Sequence, residues 1–86
     1  MNVINFKSNP DMYYKELIND KCNTVRKIDM NDERFEIIQR FPKENLRINI
    51  INSATGAKFN RYVSDVSWFG NFVIISWIAE LLGEEK

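Results

Sequence analysis

The sequence predicts a single α+β domain over residues 1–86, a curled or barrel-like β-sheet carrying two short helices. Three observations predict it. Two short segments combine capping residues with helical spacing of apolar side chains, and strand-like segments separate them. The second half reads as three successive strands joined by turn residues, the pattern of an antiparallel meander. No linker, repeat or low-complexity stretch divides the chain.

Val3, Ile4 and Phe6 form the first strand. Pro10 suits the first position of a helix, with Ser8 or Asn9 as its cap. Met12, Tyr13, Leu17 and Ile18 give that helix one apolar stripe, and it runs to about Asn19. Asn19 tolerates a left-handed exit. Thr24, Val25 and Ile28 favour a strand, with Arg26 and Lys27 between them. Asp29 is the expected cap of the second helix, and Asp32 and Glu33 favour its positive end. Phe35, Ile38 and Phe41 give its buried stripe, and Pro42 ends it.

Leu46 to Ile50 alternates as a half-buried strand does, and Ser53-Ala54-Thr55-Gly56 supplies a turn. Phe59 to Trp68 returns, with Tyr62, Val66 and Trp68 expected on one face and Arg61 and Asp65 on the other. Gly70-Asn71 turns again. Phe72 to Trp77 is apolar on both faces and reads as a central strand, which leaves dimerisation open. The tail adds a last helical turn before Gly83.

Twelve basic and twelve acidic side chains cancel, so no global field draws the chain to nucleic acid or membrane. Residues 1–27 nevertheless carry five basic groups (Lys7, Lys15, Lys21, Arg26, Lys27) against three acids (Asp11, Glu16, Asp20). A local basic face is compatible with this distribution. Cys22 stands alone and histidine is absent, so an intramolecular disulfide, a Cys/His zinc site and a thiol-protease arrangement are all excluded. No metal or cofactor is expected. The carboxylates Asp29, Asp32, Glu33 and Glu36 read as a solvated helix start. Phe72 to Leu82 is interrupted by Ser76 and Glu80 and falls short of the roughly 20 residues of a membrane helix. No signal peptide is evident, so a cytoplasmic protein is expected.

Lys21, Thr24 and Arg26 fall within six residues and are the candidate chemical centre. Lysine supplies a point charge, arginine a planar fork and threonine a small hydroxyl, a set suited to an anion or a base edge. The structural alternative pairs Arg26 with Asp65 or Glu16 to brace the barrel. Tyr13 and Tyr14 beside Lys15 offer stacking surface, although one is expected in the core and the other at its rim. Trp68 is expected to pack inward and Phe69 to cover an edge, with an exposed aromatic lip as the alternative. Trp77 reads as structural.

The Lys21, Thr24, Arg26 spacing, with the preceding Phe6-Lys7 strand and the helix of Tyr13, Tyr14 and Leu17, resembles an ASCH domain of the PUA-like superfamily. The match extends to Thr55-Gly56 with Arg61 and Val63, and to Ile74-Ile75-Ser76-Trp77. Asn19 stands where the family has glycine. The resemblance implies a PUA-like barrel whose cleft beside the first helix takes RNA or a nucleotide-like ligand through Lys21, Thr24 and Arg26. Lys7, Lys27 and Arg61 would be auxiliary contacts. Some small members resemble amidohydrolases of acylated cytidine, in which Lys21 would activate Thr24 as nucleophile. The family's later glutamate is missing, and Asp65 is the only acid between Phe59 and Trp77. A third expectation is an accessory protein of a phage or mobile element that inhibits a host protein. Its contact surface would be Glu80, Glu84 and Glu85 or the Trp68-Phe69 lip.

Overall fold

The computed structural model describes residues 2–79. Its elements follow the order β1 (Asn2–Ser8), α1 (Pro10–Leu17), β2 (Asn23–Lys27), α2 (Glu33–Arg40), a 3-10 turn (Lys43–Asn45), β3 (Leu46–Asn52), β4 (Lys58–Phe69) and β5 (Phe72–Trp77). This is the α+β architecture expected. The helical turn expected before Gly83 lies outside the described residues.

The strands form one sheet in the order β1-β3-β4-β5-β2. β3, β4 and β5 make the antiparallel meander, β1 lies parallel to β3, and β2 is antiparallel to β5. The sheet curls strongly, because Arg26 on one edge strand reaches the backbone carbonyl of Lys7 on the other, at 2.8 Å. The result is a half-barrel closed by a side chain instead of a ladder of backbone bonds.

Alternation fills the inside of the curl. Ile4 and Phe6 of β1, Leu46, Ile48 and Ile50 of β3, and Val73 and Ile75 of β5 are almost wholly buried. Phe35 and Ile38 of α2 and Tyr13 of α1 close over them. β5 has neighbours on both sides and Trp77 belongs to the core, as its two-sided apolar pattern requires.

The helix starts follow local chemistry. Asn9 caps α1 by accepting from the Met12 amide at 2.9 Å, and Pro10 occupies the first turn. α1 ends at Leu17, and Asn19 takes the left-handed conformation at φ 68°. Its buried face is Tyr13 and Glu16, with Leu17 partly buried, in place of a stripe of Met12, Tyr13, Leu17 and Ile18. The cap of α2 is Asp32, not Asp29. Asp29 instead closes the preceding turn, accepting from the Asn31 amide at 2.9 Å. Starting at Glu33 is what directs Phe35 and Ile38 together at the core.

β4 departs from simple alternation. Phe59, Arg61 and Val63 face inward, then an irregularity between Val63 and Asp65 shifts the register. One extra residue reverses the facing of everything beyond it. Before the bulge Tyr62 faces solvent and Arg61 is buried, the reverse of the expected placement, and the bulge is what returns Val66 to the core in place of Asp65. Past the bulge the β4–β5 hairpin outruns the core, leaving Trp68 42% and Phe69 75% exposed. The aromatic lip, not the inward Trp68, is the observed arrangement.

Candidate functional site

The end of α1 and the start of β2 build the site. After Leu17 the chain reverses at Asn19, and the Lys21 amide bonds back to the Lys15 carbonyl at 3.1 Å. That turn folds Lys21 over the last turn of α1. Its Nζ donates to Glu16 Oε2 at 3.1 Å and to the Asn23 carbonyl at 2.5 Å. The Cys22 carbonyl then accepts from the Trp77 amide, and pairing of β2 with β5 begins. The Cys22 thiol points back at the Asn19 carbonyl, 3.7 Å away.

In β2, Thr24 lies opposite Ile75 and is buried. Arg26 Nε donates to Thr24 Oγ1 at 2.9 Å, and its Nη2 donates to the Lys7 carbonyl. The guanidinium carbon sits 4.8 Å from the centre of the Phe6 ring. Burial lowers the Arg26 pKa, nearby Glu16 raises it, and Arg34 lowers it again. Arginine stays charged under such shifts. Thr24 accepts the Arg26 bond and keeps its own hydroxyl proton to donate.

Lys7, Glu16, Lys21, Thr24 and Arg26 line one cleft of about 270 Å³. The sequence groups four of these five as ligand contacts and names Glu16 only as an alternative brace for Arg26. This carboxylate is 1% exposed, and only Oε2 is bonded. Oε1 is buried without a hydrogen-bond partner among the described residues. A buried acceptor left unpaired costs about 1–3 kcal/mol, more when charged. The signal was present in the sequence. Glu16 stands three residues after Tyr13, on the same helical face, with a lysine just past the helix end.

The remaining expected residues lie elsewhere. Arg61 donates to the carbonyls of Asn60 at 2.9 Å and Leu17 at 3.4 Å, and its guanidinium lies 4.4 Å from the Phe59 ring centre. It ties β4 to the end of α1 and does not line the cleft. Asp65 accepts from the Ser67 hydroxyl at 2.8 Å and lines a different cleft of about 410 Å³, with Lys43 and Trp68. The structure thus gathers Lys21 and Thr24 around Glu16 and sets Asp65 apart from them. Lys27 is exposed at the far end of β2. Tyr13 is buried while Tyr14 is 61% exposed.

Among the described residues no group of His, Cys, Asp and Glu could hold a metal ion, and no helix is long and apolar enough to cross a membrane. In comparison with known proteins, no family model, no curated protein and no solved structure matches the chain.

Proposed function

We propose that this protein is a small ASCH-like domain that binds a nucleotide-type ligand, free or as part of an RNA, in the cleft between α1 and β2. The observation that carries the reading is Glu16. It is a buried carboxylate with one oxygen unpaired among the described residues, and it helps line a cleft whose charged lining is otherwise Lys7, Lys21 and Arg26. Such a mixture suits a ligand that combines an amino or imino donor with anionic or carbonyl oxygens, as a nucleotide does. The volume is slightly below the roughly 300–1,000 Å³ of pockets that hold drug-sized ligands, so the cleft fits one nucleotide and not a folded nucleic acid. The resemblance in Lys21, Thr24 and Arg26 supports the same assignment.

The test is titration of nucleoside monophosphates and a short labelled RNA at two salt concentrations, using wild type, Glu16→Gln and Lys21→Ala. Micromolar binding that weakens with salt is expected, because binding to phosphates releases counterions. Glu16→Gln should weaken it about tenfold or more, the scale of losing a charged acceptor. Affinity indifferent to both substitutions sinks the proposal. Arg26 is a poor probe of binding, since it also joins the two sheet edges.

A second reading, a factor that binds a host protein, draws on the hairpin lip. Trp68, Phe69 and Phe72 expose aromatic surface side by side at the end of β4 and β5. Aromatic residues of this kind anchor protein interfaces. Absence of nucleotide binding by folded protein would move this reading to the front.

A further inference from the structure

The outside of the curl carries a second arrangement, separate from the cleft. On the solvent side of β1, β3 and the first part of β4, the register aligns three rows. Val3, Arg47 and Tyr62 form the first, Asn5, Asn49 and Asn60 the second, and Lys7, Ile51 and Lys58 the third. Successive rows lie about 7 Å apart, two residues along a strand. None of these positions is buried, and none is a carboxylate. In a chain whose charges cancel, three cations without an acid on one face is a segregated charge pattern.

The rows differ in chemistry. In the first, Tyr62 is 51% exposed, and the Arg47 guanidinium carbon lies 4.1 Å from its ring centre. In the second, the side-chain amides form a ladder. Asn60 donates to Asn49 at 2.7 Å, and Asn49 donates to Asn5 at 2.9 Å. The ladder ends in an acceptor, Asn60 Oδ1, that is buried and has no partner among the described residues. Arg47 Nε beside it is a buried donor in the same condition, and both residues line one small cavity with Tyr62. The third row supplies two lysines.

We propose that this outer face binds single-stranded nucleic acid. An unpaired base stacks against the Tyr62–Arg47 pair, for which an aromatic ring and a guanidinium plane are both suitable platforms. Base edges meet the small cavity at the Asn60 end of the amide ladder, whose wall holds a buried acceptor and a buried donor without partners among the described residues. Phosphates are drawn to Lys7 and Lys58. A duplex keeps its bases stacked on one another and cannot use the exposed ring. An acidic protein would match the three cations, but a nucleobase also uses the exposed ring and the amide ladder. Lys7 also lines the cleft, so a strand leaving the cleft meets the lysine row directly. The outer face stands on its own observations and does not require the cleft reading.

The experiment measures fluorescence anisotropy of short, unstructured RNA and DNA oligonucleotides of one sequence with wild type, Tyr62→Ala/Lys58→Ala, Tyr62→Phe and Lys21→Ala. Mononucleotide binding is titrated in parallel. The double variant should bind the oligonucleotides at least about fivefold more weakly, the lower end expected for losing one stacked base. Its dependence on salt should also flatten by about 0.7 in log–log slope, because one fewer phosphate is neutralised. Tyr62→Phe keeps the ring and should bind as wild type does. Mononucleotide affinity should be unchanged in the double variant and reduced in Lys21→Ala, which separates this face from the cleft. Both altered positions are exposed, and a thermal melt checks that the variants fold. Oligonucleotide affinity untouched by the double variant overturns the proposal. So does a folded wild type that binds neither polymer, or a Tyr62→Phe loss as large as that of the double variant.

Discussion

Asp32 shows how one carboxylate sets a boundary. It accepts from the Arg34 amide at 3.0 Å, and the Arg34 side chain returns to grip the same carboxylate. These hydrogen bonds hold the Asp32 carboxyl below the usual range, and the same pairing raises Arg34. A depressed carboxyl stabilises the fold above its unfolded pKa of about 3.9, and that share is lost as pH falls through the lower folded value. Asp32→Ala should cost about 1 kcal/mol in denaturant unfolding at neutral pH, as lost helix caps do. Asp32→Asn keeps the cap and removes the charge, so its stability gap from wild type should close in acid, below about pH 4. A gap of constant size in acid would show that the Arg34 pairing contributes nothing. The sequence pointed to Asp29 for this role, with Asp32 only an acid in the first turn, and the facing of Phe35 and Ile38 is what moves the cap to Asp32. That decision is made by the core, which a local pattern does not contain. Asn9 and Asn19 were legible because their roles depend on neighbours in the chain.

Among the elements, β1 and β4 behave differently from their patterns. The free edge of β1 shows the carbonyls of Asn5 and Lys7, and each receives a guanidinium, from Arg34 at 2.6 Å and from Arg26 at 2.8 Å. Both guanidinium groups lie over the Phe6 ring, at 4.4 and 4.8 Å. Arg26→Ala should destabilise the fold by about 2 kcal/mol, the scale of charge-assisted hydrogen bonds. Lysine should restore little, because it lacks the fork that spans Thr24 and Lys7 at once. Chemical denaturation of the two variants checks this, and full rescue by lysine would contradict it. The alternative reading in which Arg26 pairs with Asp65 or Glu16 was right in kind, since Arg26 does brace the sheet. Its partners are a hydroxyl and a carbonyl, and backbone groups of distant strands cannot be foreseen from side-chain chemistry. The strand spanning Phe59 to Trp68 was equally visible. That Tyr62 and Val66 face opposite ways was not, because a bulge between them leaves no mark in a run of alternating residues.

At the scale of the whole molecule, the α+β class and the meander followed from turn residues and alternation in the second half of the chain. The pairing of β1 with β3 did not, since it joins residues 2–8 to residues 46–52 and is decided by which strands share the core. The energetic weight of that pairing can be measured through Phe6, which is 1% exposed and packs edge-on to Phe35. Replacing a buried phenylalanine by alanine costs about 3–5 kcal/mol. A domain of this length has about 4–13 kcal/mol in all, at roughly 0.05–0.15 per residue. Phe6→Ala should therefore remove much of the margin and lower the melting midpoint by well over 10 °C, on the scale of about 4–8 °C per kcal/mol. A shift of only a few degrees in calorimetry would place β1 outside the cooperative unit. The candidate cleft was legible in its cations, which sit close in sequence. Its carboxylate was legible only as a residue on the helical face of Tyr13, since the reversal at Asn19 is what brings Glu16 beneath Lys21.

The side-chain closure of the half-barrel also governs how these molecules behave in a crowd. An open sheet has two bare margins, each able to recruit a strand from a neighbouring chain and begin an ordered aggregate. Here the two margins, β1 and β2, are turned toward each other, and guanidinium groups occupy the β1 carbonyls that an incoming strand would need. A bulky charged group in that position repels further stacking as well as blocking it. The arginines that hold the curl together thus also keep one copy of the protein from templating onto the next.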